Sequence, residues 1–261
     1  MTIKEKVENA LPLTGAHTHF SDTAITEIYG ALGYDFVWID MEHTTLSCEQ
    51  VYHHILAAKS AGVAAFVRVP VNDLTNTKRV LEMGIDGIIF PMVRDAVHAK
   101  ELLDNTLYPP YGKRGCGPKG AVRYGIDSEK DFYVNGHKRI CRFIQIELES
   151  AAKDAQEIVK LPYLDGCILG MHDLSGSIGK LGDIFCAENL KLANHAIEVF
   201  CKAGKTVGVS TTATDEETLN RYYNMGINMI STGADYDYIV KGARNTLETV
   251  KRIRNKPLPR K

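Results

Sequence analysis

Apolar positions in this chain come in short dense runs, separated by stretches whose apolar residues recur at helical spacing. Phe36-Val37-Trp38-Ile39-Asp40 reads as a buried strand. From Cys48 onward the stripe Val51, Ile55, Ala58 predicts a helix that Gly62 stops. The pair then repeats: strand 64–69 and helix 74–84, strand 87–92 and helix 96–106, strand 142–147 and helix 151–161. Strand 164–170 and helix 187–204 follow, then strand 206–211 and helix 216–226, then strand 228–232 and helix 236–254. Residues 13–20 with 24–33 supply a further unit at the front, making eight. Near-continuous apolar strands alternating with helices imply a parallel sheet covered on its outer side, and eight such units close a ring. The pattern therefore predicts a (β/α)8 TIM barrel, a single domain over residues 1–261. Segment 107–139, between strands four and five, is longer than an ordinary loop and reads as an insert that serves the site.

Composition narrows the setting. The 31 Lys+Arg against 32 Asp+Glu leave a net charge of −1, which gives no drive toward nucleic acid or an anionic membrane. The longest uncharged apolar runs, 60–67 and 87–93, fall far short of the roughly 18–20 residues of a spanning helix. Met1-Thr2-Ile3-Lys4-Glu5-Lys6 lacks the apolar core of a secretory signal, so a cytoplasmic location is expected. Six widely spaced cysteines, with no Cys-x-x-Cys among them, disfavour a zinc ribbon or a disulfide framework and read as buried small hydrophobes.

In such barrels the reacting groups stand at the carboxyl ends of the strands. Glu147 and Asp173 end adjacent strands, and two converging carboxylates suit a hard divalent ion such as Mg²⁺ or Mn²⁺. The structural alternatives are an ion-pair role for Glu147 and a helix cap at Asp173. Arg68 closes an apolar strand, where a charge is costly unless it meets an anion; it could hold an enolate or carboxylate oxygen. His43 follows Asp40 by three residues, and an aspartate that fixes one ring nitrogen would make the other a general base. His17-x-His19 ends strand one, the pattern with which metal hydrolases on this barrel begin. Strand five, however, offers Gln145 and Glu147 rather than histidine. The strand ends carry no lysine, which excludes a Schiff base and moves any carbon–carbon chemistry toward a metal.

Several ordered segments carry a resemblance: Asp35 to His43, Val67-Arg68-Val69-Pro70, Gly87 to Val93, Tyr108 to Gly115, Gln145-Ile146-Glu147 and Gly170 to Ser175. Together they resemble the metal-dependent class II 2-oxo-acid aldolases of the HpcH/HpaI type, which include the 4-hydroxy-2-oxoheptanedioate and 2-keto-3-deoxy-sugar-acid aldolases. The resemblance implies a lyase that cleaves or forms a 4-hydroxy-2-oxo acid, giving pyruvate and an aldehyde. It implies Glu147 and Asp173 as ligands of Mg²⁺ or Mn²⁺, with Co²⁺ a further candidate. It also implies Arg68 as the enolate-stabilising residue, His43 with Asp40 as the acid–base pair, and Gln145 as a substrate contact. Gly170, Met171 and His172, leading to Asp173, would cradle the substrate carboxylate. Met171-His172 departs from the Pro and small residue usual there, and His-x-His is unusual on strand one. A homo-oligomer, trimer or hexamer, with the last helix packed on a neighbour is implied as well. The alternatives are a Claisen-type, citrate-forming condensation, an amidohydrolase-like hydrolase using His17 and His19, or a non-catalytic barrel that binds small acids.

Overall fold

A computed structural model of the chain describes residues 1–256. Eight parallel strands close a barrel in chain order: β1 Leu13–Thr18, β2 Phe36–Asp40, β3 Ala64–Arg68, β4 Gly87–Phe90, β5 Cys141–Ile146, β6 Gly166–Leu169, β7 Thr206–Thr211 and β8 Met229–Ala234. β1 pairs with both β2 and β8, which closes the ring. The predicted (β/α)8 TIM barrel is the observed fold.

Two apolar layers hold it. The larger fills the shell between strands and helices. The smaller fills the barrel and draws on alternate residues: Phe36 and Trp38 from β2, Ala64 and Phe66 from β3, Cys141 and Phe143 from β5. Phe36 stacks on Phe66 with centroids 4.8 Å apart, and Phe66 meets Phe143 at 5.6 Å. Glycines make room for these rings: a Cβ on Gly15 would lie 2.2 Å from the Phe36 ring, and one on Gly87 would lie 2.6 Å from Phe66. Continued by two residues, the same inward parity leads to Asp40, Arg68 and Gln145. The interior therefore turns from aromatic to charged toward the carboxyl ends of the strands.

The other end is plugged. A short helix, Ile3–Glu8, starts with a reciprocal cap: Thr2 Oγ1 accepts from the Glu5 N–H, and Glu5 accepts from the Thr2 N–H at 2.7 Å. Its Val7 is fully buried in the barrel layer, with Ile3 packed beside it. This helix was absent from the sequence reading, because six mostly charged residues carry too little periodicity.

Three other expectations change. The helix expected over 151–161 divides into Glu149–Lys153 and Ala155–Ile158. Asp154, between them, sends its carboxylate to the Ala96 N–H at 2.6 Å, capping a neighbouring helix rather than continuing its own. The insert over 107–139 contains a helix, Glu129–Asn135, between two 3-10 turns. It builds its own small core from Tyr108, Val122 and Phe132, with the Arg114 guanidinium 4.5 Å over the Tyr108 ring. No residue of the insert lines the cavity at the barrel mouth. Only Cys141 and Cys167 are fully buried; Cys116 and Cys201 are exposed, so the reading of all six as core residues holds for two.

Candidate active site

At the carboxyl ends of the strands the inward face becomes polar, and one pair organises it. Asp40 and Arg68 are register partners on β2 and β3. Arg68 donates through Nε to Asp40 Oδ1 at 2.9 Å and through Nη2 to Oδ2 at 2.6 Å, a two-pronged contact between nearly water-free groups. Burial alone would raise the Asp40 pKa; the arginine fork overrides it and holds the carboxyl below its ordinary value. Nη1 reaches Gln145 Oε1 at 3.3 Å and Glu42 Oε2 at 3.0 Å. Arginine carries five N–H donors. Three of these contacts are hydrogen bonds and the one to Glu42 is an ion pair, so among the described residues one N–H of Nη2 has no partner and is open to a ligand.

Gln145 links this arginine to the next carboxylate, donating to Glu147 Oε2 at 2.8 Å. The other Glu147 oxygen accepts the backbone N–H of Met92, a residue held in the left-handed region at φ 51. Glu147 is only 2% exposed, and burial pushes its carboxyl up to about 7, with the negative neighbours Glu42 and Asp173 adding to the rise. A Cβ at Gly170 would stand 2.5 Å from Glu147 Oε2, so the carboxylate's seat exists because that position is glycine. Asp173 lies in the first turn of helix Met171–Ser177, whose N-cap is Gly170. It is exposed, where Glu147 is buried.

Carboxylates gathered this closely repel one another, and a divalent cation relieves that repulsion. Glu147 and Asp173, with Glu42 near both, are oxygen donors of the type that Mg²⁺ or Mn²⁺ takes. Among the described residues no set of three or more His, Cys, Asp or Glu side chains is arranged as a complete ligand shell. Two carboxylates would leave further positions to water and substrate.

The histidines fall out differently from the sequence reading. The His43 ring is not held by Asp40. It is 64% exposed, with Nε2 3.7 Å from Glu42, while the Asp40 carboxylate is occupied by Arg68 and by the backbone N–H groups of Glu42 and His43. The register that brings Asp40 beside Arg68 decides this. His43 nonetheless lines the mouth cavity of about 350 Å³, as do His17, His19, His172, Arg68 and Asp40. His17 and His19 do not form a shared metal site. The buried His17 ring packs on Trp38 at 5.0 Å and meets Ser210 Oγ through Nε2 at 3.3 Å, whereas His19 lies between Asp40 and Asp235. The Met171 side chain is buried in the outer apolar shell rather than in the cavity, because its place in a helix, not strand parity, sets its direction.

Four contributors had been passed over. Glu42 reaches Arg68, and its burial raises its carboxyl pKa against the pull of that arginine. Met92 supplies a backbone donor, which a sequence does not display. Ser210 and Tyr236 line the cavity. Glu42, Met92 and Ser210 all stand at or just past strand ends, and that position is the signal the sequence offers.

A mouth of this kind suits a small, oxygen-rich substrate bound through carboxylate and carbonyl groups. Comparison with known proteins agrees: the chain belongs to the HpcH/HpaI aldolase/citrate lyase family, whose model matches residues 14–241. It is 28% identical to a hydroxypyruvate/pyruvate aldolase of Roseovarius nubinhibens over 94% of this chain and 95% of that protein. It is 30% identical to a 4-hydroxy-2-oxovalerate aldolase of Novosphingobium aromaticivorans, over 85% of this chain and 84% of that one. A crystal structure of an HpcH/HpaI aldolase/citrate lyase family protein from Burkholderia cenocepacia superposes with a TM-score of 0.89 at 25% identity, covering 95% of this chain and 98% of that one.

His17 yields a test of the buried mouth. Burial first, then the nearby Arg68 and His19, push its pKa from 6.5 down to about 3. The unfolded chain thus takes up a proton that the folded chain refuses, and stability falls as pH drops from 6.5 toward 3. At pH 5 this one group removes about 2 kcal/mol relative to pH 7. Urea unfolding at the two pH values should show that loss, and His17→Gln should reduce it. An unchanged pH dependence in the variant would assign the acid sensitivity elsewhere.

Proposed function

We propose that the chain is a carbon–carbon lyase, a pyruvate-forming aldolase that cleaves or forms a 4-hydroxy-2-oxo acid. One observation supports this above the others: the unbroken polar path Asp40–Arg68–Gln145–Glu147 across the barrel mouth, with the Gly170 seat beside it. A divalent ion, Mg²⁺ or Mn²⁺ with Co²⁺ as a further candidate, would be held by Glu147 and Asp173 and would supply Lewis-acid stabilisation of developing enolate charge. The chain's own residues do the rest. His43, at the exposed rim of the cavity, takes the proton of the 4-hydroxyl. The C3–C4 bond breaks, its electron pair goes to the pyruvate half, and the aldehyde departs. The free Nη2 N–H of Arg68 meets the enolate oxygen. Asp40 fixes that guanidinium from behind, and Gln145 keeps it in register with Glu147. Proton return to C3 completes pyruvate.

The chain acts as a homo-oligomer in this reading, a trimer or hexamer. The last helix, Asp235–Arg254, supports it: of its twenty residues only Asp235 is buried. Ile239, Val240, Leu247, Val250 and Ile253 are exposed and fall on one side at helical spacing. Such an apolar stripe fits the same surface of a second copy. Neither nucleic acid nor membrane is a partner in this reading: the net charge of −1 gives no drive toward either, and among the described residues no helix is long and apolar enough to cross a membrane.

The defining assay is pyruvate release from 4-hydroxy-2-oxo acids with added metal. Activity should vanish with a chelator and return with Mg²⁺ or Mn²⁺, and borohydride with pyruvate should trap no adduct. A lysine adduct would overturn the metal-dependent reading, and turnover of an acyl thioester in place of the aldehyde would favour the Claisen alternative. Arg68→Lys keeps the charge but loses the planar fork, so kcat should fall by about 100-fold or more; an unchanged kcat removes Arg68 from the chemistry. Light scattering on the intact chain should give a multiple of the 28.9 kDa subunit mass, and Leu247→Asp with Val250→Asp should shift it toward that mass.

A further inference from the structure

The His-x-His pair of β1 has no part in the reaction as derived so far, yet both rings face the cavity that holds Arg68. His19 is unusually well anchored. Its backbone N–H and that of Phe20 both donate to Asp235 Oδ2, at 2.7 and 2.8 Å. Its ring lies between two fully buried carboxylates, with Nε2 3.7 Å from Asp40 Oδ2 and Nδ1 3.9 Å from Asp235 Oδ1. Tyr236 packs edge-on against the ring at 5.1 Å. Neither carboxylate is within ordinary hydrogen-bond length of the ring: Nδ1 is buried beside Asp235 with no hydrogen-bond partner among the described residues, and Nε2, which is not buried, is the nitrogen left for a ligand. The imidazole is held in place and 20% exposed on the cavity side, with hydrogen-bonding capacity left over.

The charge around it is one-sided. Among the described residues the cavity's only permanent cation, Arg68, is already bound by Asp40 and Glu42, and no lysine lines the wall. Asp40 and Asp235 stand behind His19. Ser210, which meets His17, adds a neutral hydroxyl to the same wall. A carboxylate brought here would face two buried anions with no unpaired cation to receive it. A neutral hydroxyl can both donate and accept.

We propose that His19, anchored by Asp235, is a specificity-determining residue that hydrogen-bonds a hydroxyl of the aldehyde-derived half of the substrate, so that the enzyme takes small neutral hydroxyaldehydes in preference to unsubstituted or carboxylated ones. The cavity volume of about 350 Å³, near the lower end for small-molecule sites, fits a short chain of this type. This inference rests on the aldolase reading above and specifies its second substrate.

The test uses the metal-loaded oligomer with pyruvate and three two-carbon aldehydes: acetaldehyde, glycolaldehyde and glyoxylate. They differ in the group attached to the aldehyde carbon, which is methyl, hydroxymethyl or carboxylate. The wild-type protein should favour glycolaldehyde over each of the others by about ten-fold in kcat/KM, the scale of one specific hydrogen bond to a substrate hydroxyl. His19→Phe, which keeps the ring packing against Tyr236 and removes both nitrogens, should bring the glycolaldehyde-to-acetaldehyde ratio close to one, mainly through KM for the aldehyde. His19→Gln, which keeps hydrogen-bonding groups, should retain part of the preference. If His19→Phe does not fold, His19→Gln carries the test alone, with a ratio expected between the wild-type value and one. Deuterium uptake into the methyl group of pyruvate, followed without any aldehyde, separates the two claims. A wild-type protein that exchanges no deuterium and condenses no aldehyde fails as an aldolase. One that exchanges deuterium but prefers glyoxylate, or whose variants keep the wild-type ratio, leaves the aldolase reading standing and overturns the role of His19.

Discussion

The mouth of this barrel depends on the salt bridge between Asp40 and Arg68. Both groups are nearly sealed from water, and neighbouring strands hold them side by side in register. A buried pair of this kind contributes little net stability, but loss of one partner strands the other at a cost of about 3–5 kcal/mol. Its value here is positional. By engaging both edges of the guanidinium, Asp40 sets where the remaining arginine N–H points and which edge faces Gln145. Gln145 in turn sets the rotamer of Glu147. One ion pair therefore fixes an arginine and, through it, an amide and a carboxylate from one further strand, β5.

The carboxylates show the opposite economy. Glu42, Glu147 and Asp173 raise one another's energy, and Glu147 bears most of it because it is the most buried. A fold under selection for stability alone would not keep a buried carboxylate against Gly170, at a spot so tight that a Cβ there would stand 2.5 Å from Glu147 Oε2. The arrangement makes sense as a preorganised demand for positive charge, ready before substrate arrives. The aromatic layer beneath, with its stacked Phe36 and Phe66, supplies the rigidity that keeps such a strained set of charges from relaxing apart.

Much of this was legible in the sequence, and the reason is parity. Strands that alternate faces carry an inward aromatic at one position and an inward polar group two or four residues later, so Arg68, Gln145 and Glu147 could be read directly as mouth residues. Parity cannot say which neighbour a side chain meets. The partner of Asp40 depends on the offset between β2 and β3, so the aspartate pairs with Arg68 rather than with the His43 ring three residues away. Past the end of β6 the chain is helical, so alternation no longer gives the direction of the Met171 side chain, which packs in the outer shell. Met92 contributes through its main chain, which residue identity does not reveal. The plug helix Ile3–Glu8 was too short and too charged to register as periodic, although its reciprocal Thr2–Glu5 cap is written in the residues themselves.

That plug also governs traffic. Val7 and Ile3 join the apolar layer that fills the barrel, so the polar mouth opens toward the carboxyl ends of the strands. Glu147 lies deep in that mouth and His43 stands on its sill. A substrate whose oxo-acid end is held at the bottom must enter that end first. Its two fragments then queue for the same exit, the aldehyde in front and pyruvate behind. In the proposed reaction the order in which products leave would thus follow from how the barrel is filled, by its aromatic layer and by a six-residue helix at the far end.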